Sequence, residues 1–182
     1  QQGGDGVWLD LPTTTEQVQV ALRQLGISSD NPQDLFISGY FAEEEKRFAI
    51  SYNMVLASNV DELNFLASRL ETLSTGERAE LNAALQAPQS ELFSIGRITD
   101  FPENVDYYVH LPDVHGPAQL GDYYRNRSGM VDMPEEWKGG IDTAQFGRYV
   151  AQQEQGAFTQ YGYLVKSGDE WQKVHEGQPV PE

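Results

Sequence analysis

The chain has 182 residues, 39% of them hydrophobic and 11% aromatic, with no cysteine and a net charge of −16. The apolar content supports a packed core and argues against global disorder, and the absence of cysteine excludes disulfides, thiolate metal sites and cysteine catalysis. The 28 acidic residues against 12 Lys and Arg repel a phosphate backbone, so direct nucleic-acid binding is disfavoured and basic protein surfaces become the natural partners.

The acidic excess runs the length of the chain rather than forming a tail. Evenly spread charge resembles that of a polyanion, and an excess of 16 matches the phosphates of roughly 8 base pairs. No run approaches the ~20 apolar residues of a membrane helix. No signal peptide is visible, and a cytoplasmic location is expected.

In chain order, "GVWLDLP" (Gly6 to Pro12) alternates as a strand does, and Pro12 ends it. "TTTEQVQVALRQLG" reads as a Thr-capped helix with Val18, Leu22 and Leu25 at helical spacing and Gly26 as its stop. "DLFISGYF" (Asp34 to Phe41) and "RFAISY" (Arg47 to Tyr52) read as two strands around the charged "AEEEK". The first part, 1–57, is therefore expected to be a small α+β domain. The middle, 58–103, is expected to be helical. Asn59 caps a helix with the stripe Val60, Leu63, Leu66, Ala67 and Leu70. Ser74 or Thr75 caps a second helix that Pro88 ends, and the short connection suggests an antiparallel pair. A third short helix covers "SELFSIGRI".

The last part, 104–182, is expected to be a second α+β domain. It holds a strand from Val105 to Leu111 and a short helix in "PAQLGDYYRNRSG" ended by Gly129. "PEEW" starts a helix with Pro134 in its first turn, and another runs from Asp142 to about Gln155 with Gly156 as terminator. "AFTQYGYLVKSG" is a strand or hairpin.

Enzyme chemistry finds little foothold. His110, Asp113 and His115 lie close together in "HLPDVH", but no third strong ligand or fixed geometry is evident, so one packed and one exposed histidine are expected instead of a metal site. The adjacent Glu135 and Glu136 are common on solvated helix ends and are a very weak sign of acid–base work. There is no nucleophile elbow, phosphate loop or dinucleotide fingerprint. A non-enzyme without cofactor or metal is expected, with a binding function carried by shape and charge.

Three segments, in order, resemble the ArdA antirestriction family. They are "VWLDLP" with its following capped helix, "VDELNFLASRLETLS" with its second helix, and Leu120 to Leu164. In the last, the family pattern is met by Leu120, Tyr123, Tyr124, Pro134, Ile141, Asp142, Phe146, Gly147, Arg148, Gly156 and Phe158. The resemblance implies an elongated α+β chain of three small domains. It implies a dimeric DNA mimic that occupies the DNA-binding groove of type I restriction–modification enzymes, at their methyltransferase core. Such proteins are carried by plasmids, conjugative transposons and phages. The alternative is an interaction module of a mobile element, with the same fold, that binds another basic DNA-binding protein.

On this reading the phosphate-mimicking carboxylates are Glu43, Glu44, Glu45, Asp61, Glu62, Glu71, Glu77, Glu80, Asp122, Asp132, Glu135, Glu136 and Asp142. Trp137, Ile141 and Phe146 are expected to anchor their segment, and Arg148 to form an internal salt bridge. Arg125 and Arg127 stand where acids are common in relatives, which locally weakens the mimicry.

Overall fold

Helices begin where the sequence supplies side-chain caps. The computed structural model describes residues 6–27, 35–44, 47–88, 90–127, 129 and 132–180. Helices α1 (Thr15–Gln24), α3 (Val60–Glu71) and α4 (Thr75–Gln86) each start with a reciprocal capping box: Thr14 with Gln17, Asn59 with Glu62, and Ser74 with Glu77. Each pair satisfies two of the amide donors that a helix start leaves unpaired. The short helices α2 (Tyr52–Leu56) and α5 (Ile95–Thr99) complete the first five. Further on come strand β1 (Tyr108–Leu111), helices α6 (Pro117–Asn126), α7 (Glu135–Lys138) and α8 (Thr143–Glu154), and strands β2 (Ala157–Thr159) and β3 (Gly162–Lys166). The fold is α+β.

The chain divides into two compact units. One is built from Gln1–Leu73, Leu92–Pro102 and Lys173–Glu182, the other from Ser74–Glu91 and Glu103–Gln172.

In the first unit, α3 packs on α5. Leu66 and Leu70 of α3 and Ile95 and Ile98 of α5 are buried. The segment leading into α1 is tied to α3 through Asn64, whose amide oxygen accepts from Thr13 N at 2.6 Å and whose amide nitrogen donates to Thr13 O at 3.1 Å. The last part of the chain returns to this unit. Asp100, fully buried, accepts from the backbone amides of Val174, His175 and Glu176 at 3.2, 2.6 and 3.2 Å. Arg97 pairs with Glu176 at 3.2 Å, and the His175 ring meets Phe65 edge-on at 5.0 Å.

The strands expected at Gly6 to Pro12, Asp34 to Phe41 and Arg47 to Tyr52 are not found among the described residues; Asp34 lies outside them. Tyr52 instead opens α2. Its ring stacks on Tyr40 at 5.6 Å, and its hydroxyl donates to Ser38 O, so side chains link these segments where a backbone ladder was expected. An alternating strand is stable when its apolar face is covered. Trp8, Phe36 and Phe41 remain 75%, 81% and 74% exposed, so the described residues supply no such cover.

In the second unit a three-stranded antiparallel sheet has the order β1–β3–β2, with Val109 opposite Val165 and Phe158 opposite Tyr163. The expected strand from Val105 begins later, because Val105–Tyr107 forms a 3-10 turn. β2 and β3 form a hairpin where a strand or hairpin was expected. Helix α4 packs on β3. Val114, Leu120 and Tyr163 form a core that Leu111, Val150 and Phe158 flank.

Helices α6 and α8 pack with their backbones in close approach. A Cβ on Gly121 would stand 1.9 Å from Thr143 O, and one on Gly147 1.8 Å from Pro117 O. Helix α8 ends with Gln155, not Gly156, in the left-handed conformation. Gly156 has a different role: a Cβ there would lie 1.9 Å from the Tyr163 hydroxyl. The third predicted helix of the middle segment is reduced to Ile95–Thr99. Among the described residues no helix is long and apolar enough to cross a membrane.

Candidate functional site: the carboxylate surface

The thirteen carboxylates singled out in the sequence differ in what the fold does with them. Asp61, Glu71, Asp132 and Glu136 are exposed. Glu71 is the last residue of α3, at the negative end of the helix dipole, where a carboxylate does nothing for helix stability. Glu43 and Glu44 are also exposed, and Glu45 lies outside the described residues.

Others hold structure together. Glu62 and Glu77 accept from the backbone amides of Asn59 and Ser74 at 3.3 and 2.7 Å in their capping boxes. The hydrogen bonds with Ser74, first from its side chain and then from its backbone, hold the Glu77 carboxyl below the usual carboxylate range. Asp142 caps α8, accepting from Ala144 N and Gln145 N at 3.0 Å each. Asp122 pairs with Arg125 at 2.9 Å, so one of the two arginines that break the acidic pattern is matched by an acid one turn away. Glu135 pairs with Lys138 at 2.6 Å.

Glu80 stands apart. Burial, then the charges of Glu77 and Asp106, push its carboxyl up to about 8. Among the described residues its buried Oε1 has no hydrogen-bond partner. At neutral pH Glu80 is therefore mostly uncharged and presents no phosphate-like charge. The sequence placed it among the phosphate-mimicking carboxylates, one turn from Glu77 on α4. Nothing in the local sequence announced Asp106 as its neighbour.

Two expectations for the segment around α7 and α8 are corrected. Trp137 is 68% exposed and does not anchor it, because α7 is a single turn with no buried residue. Ile141 and Phe146 are half-buried, as an anchor requires. Arg148 is exposed and makes no ion pair among the described residues, because it lies on the outer side of α8 while Gly147 faces α6.

His110 is half-buried and its Nε2 lies 2.7 Å from Tyr161 O, while His115 is exposed. Among the described residues His110, Asp113 and His115 do not gather as metal ligands. A groove lined by Val109, Tyr124, Glu154, Lys166 and Ser167 has its polar groups engaged. Glu154 accepts from the hydroxyls of Tyr124 and Tyr163, Lys166 pairs with Glu91 at 2.6 Å, and Ser167 Oγ donates to Tyr107 O. Burial, together with Glu154, raises both tyrosine hydroxyls. Glu154 and Asp100 carry no local signature of their roles, which depend on Tyr124 and on residues 174–176.

These features define an acidic α+β protein with carboxylates displayed on both units. The family model described as antirestriction protein (ArdA) matches residues 4–165. The chain belongs to the ArdA family of antirestriction proteins. No curated protein gives a significant match.

Proposed function

We propose that this protein inhibits type I restriction–modification enzymes as a DNA mimic, with its surface carboxylates in place of phosphates. The observation that carries the reading is the joint one of family membership and charge. The net charge is −16, and Asp61, Glu71, Asp132 and Glu136 stay in solvent. The partner is the basic DNA-binding groove of the methyltransferase core. Catalysis plays no part in such inhibition; occupancy of the groove is enough. An elongated three-domain arrangement, assembly as a homodimer in the cytoplasm and carriage on a mobile element belong to the same reading. A dimer offers the excess charge of roughly 16 base pairs.

The test is competition. A type I methyltransferase core with its labelled target duplex is mixed with the protein at low and at raised salt. The expected result is displacement of the duplex, weakening as salt rises, because the attraction is between opposed surface charges. No displacement at micromolar protein overturns the reading for this enzyme class. It directs the search to another basic DNA-binding protein as partner.

A further inference from the structure

The first turns of α8 border a shallow open groove lined by Ile141, Asp142, Gln145, Phe146 and Tyr149. Asp142, Gln145, Phe146 and Tyr149 are spaced three and four apart, so they share one stripe of the helix. Ile141 and Phe146 are half-buried, and Tyr149 is 61% exposed. Asp142 uses one oxygen, Oδ1, for both of its capping bonds. Its Oδ2 has no partner among the described residues.

A trough with apolar walls, an exposed aromatic ring and a free carboxylate oxygen is complementary to one kind of side chain. The aliphatic stem of an arginine would fit against Ile141 and Phe146. Its planar guanidinium would stack on the Tyr149 ring and donate to Asp142 Oδ2 and to the Gln145 amide oxygen. Charge complementarity points the same way, since a protein of net charge −16 gathers basic surfaces. Phosphate mimicry by itself calls only for charge and gives no role to an exposed ring.

We propose that this groove seats an arginine side chain of the basic partner, and that it supplies the part of the affinity that salt does not screen. This rests on the function proposed above.

The experiment measures the affinity of the wild-type protein and two variants for the methyltransferase core across a salt series. Tyr149→Ala removes the exposed ring. Asp142→Asn removes the charge and keeps the cap, because Asn caps as well as Asp. Tyr149→Ala is expected to raise Kd about tenfold at every salt concentration, as truncation of an aromatic anchor does. Asp142→Asn is expected to raise it about threefold at low salt, less at high salt. The double variant should lose less than the product, since both groups hold the same side chain.

Wild-type binding with both variants within twofold of it overturns the inference and leaves the proposed function standing. Weaker self-association of Tyr149→Ala in sedimentation, with unchanged affinity for the core, also overturns it and assigns the groove to a second copy of this chain. Failure of the wild type itself to bind overturns the proposed function, and the inference with it.

Discussion

Glu80 offers the sharpest test of how this fold treats its acids. The carboxyl titrates near 4.5 when free and near 8 in the folded protein. Below the first value both states are protonated, and the group does not affect stability. Between the two values the unfolded chain releases a proton that the folded one keeps, so stability falls as pH rises. Above the second value both are ionised and the loss levels off. At about 1.4 kcal/mol per pH unit, the span sets an upper bound of about 5 kcal/mol. Water reaching this half-buried group reduces the effect, and about 2 kcal/mol is a realistic figure.

Glu80→Gln keeps the shape of the side chain and removes the titration. The variant should match the wild type near pH 4 and exceed it by about 2 kcal/mol near pH 9, or about 4 to 8 °C in Tm for a chain of this length. Thermal and urea unfolding at several pH values read this directly. A difference that is the same at all pH values, or a Gln variant less stable than wild type at pH 9, would refute the reasoning about burial and neighbouring charge.

Two further predictions concern packing. Gly147→Ala places a methyl 1.8 Å from Pro117 O, so α6 and α8 must separate; a loss of about 3 kcal/mol is expected in urea unfolding, and a loss under 0.5 kcal/mol would mean that the helices give way freely. Asp100→Ala leaves three backbone amides without their acceptor. A loss of about 3 kcal/mol is expected, and hydrogen exchange at residues 174–176 should accelerate strongly; protection equal to wild type would show that this segment is held by other contacts.

The sequence by itself determined the helices that carry their own start signals. Thr14, Asn59, Ser74 and Asp142 each place an oxygen where the first amides of a helix need one, and this is a local interaction among residues two or three apart. For "AFTQYGYLVKSG" a strand or a hairpin was legible, and the structure makes it the β2–β3 hairpin. The net charge and the three ordered segments were likewise written in the chain, and they were enough to reach the family. The expected strands before Tyr52 failed because alternation states a preference for a covered face without supplying the cover. Trp8, Phe36 and Phe41 remain in solvent.

What Glu80 and Asp100 do was decided by tertiary structure. Asp61 and Glu80 are both acids on the polar side of an amphipathic pattern, yet one is exposed and the other is half-buried beside Asp106, 26 residues on in the chain. Asp100 becomes the anchor for residues 174–176 only when the chain returns to it. Burial and charge proximity depend on which segments meet in space. Neither is encoded in any short stretch, so acids alike in their local pattern become a neutral half-buried group at Glu80 and a free surface charge at Asp61.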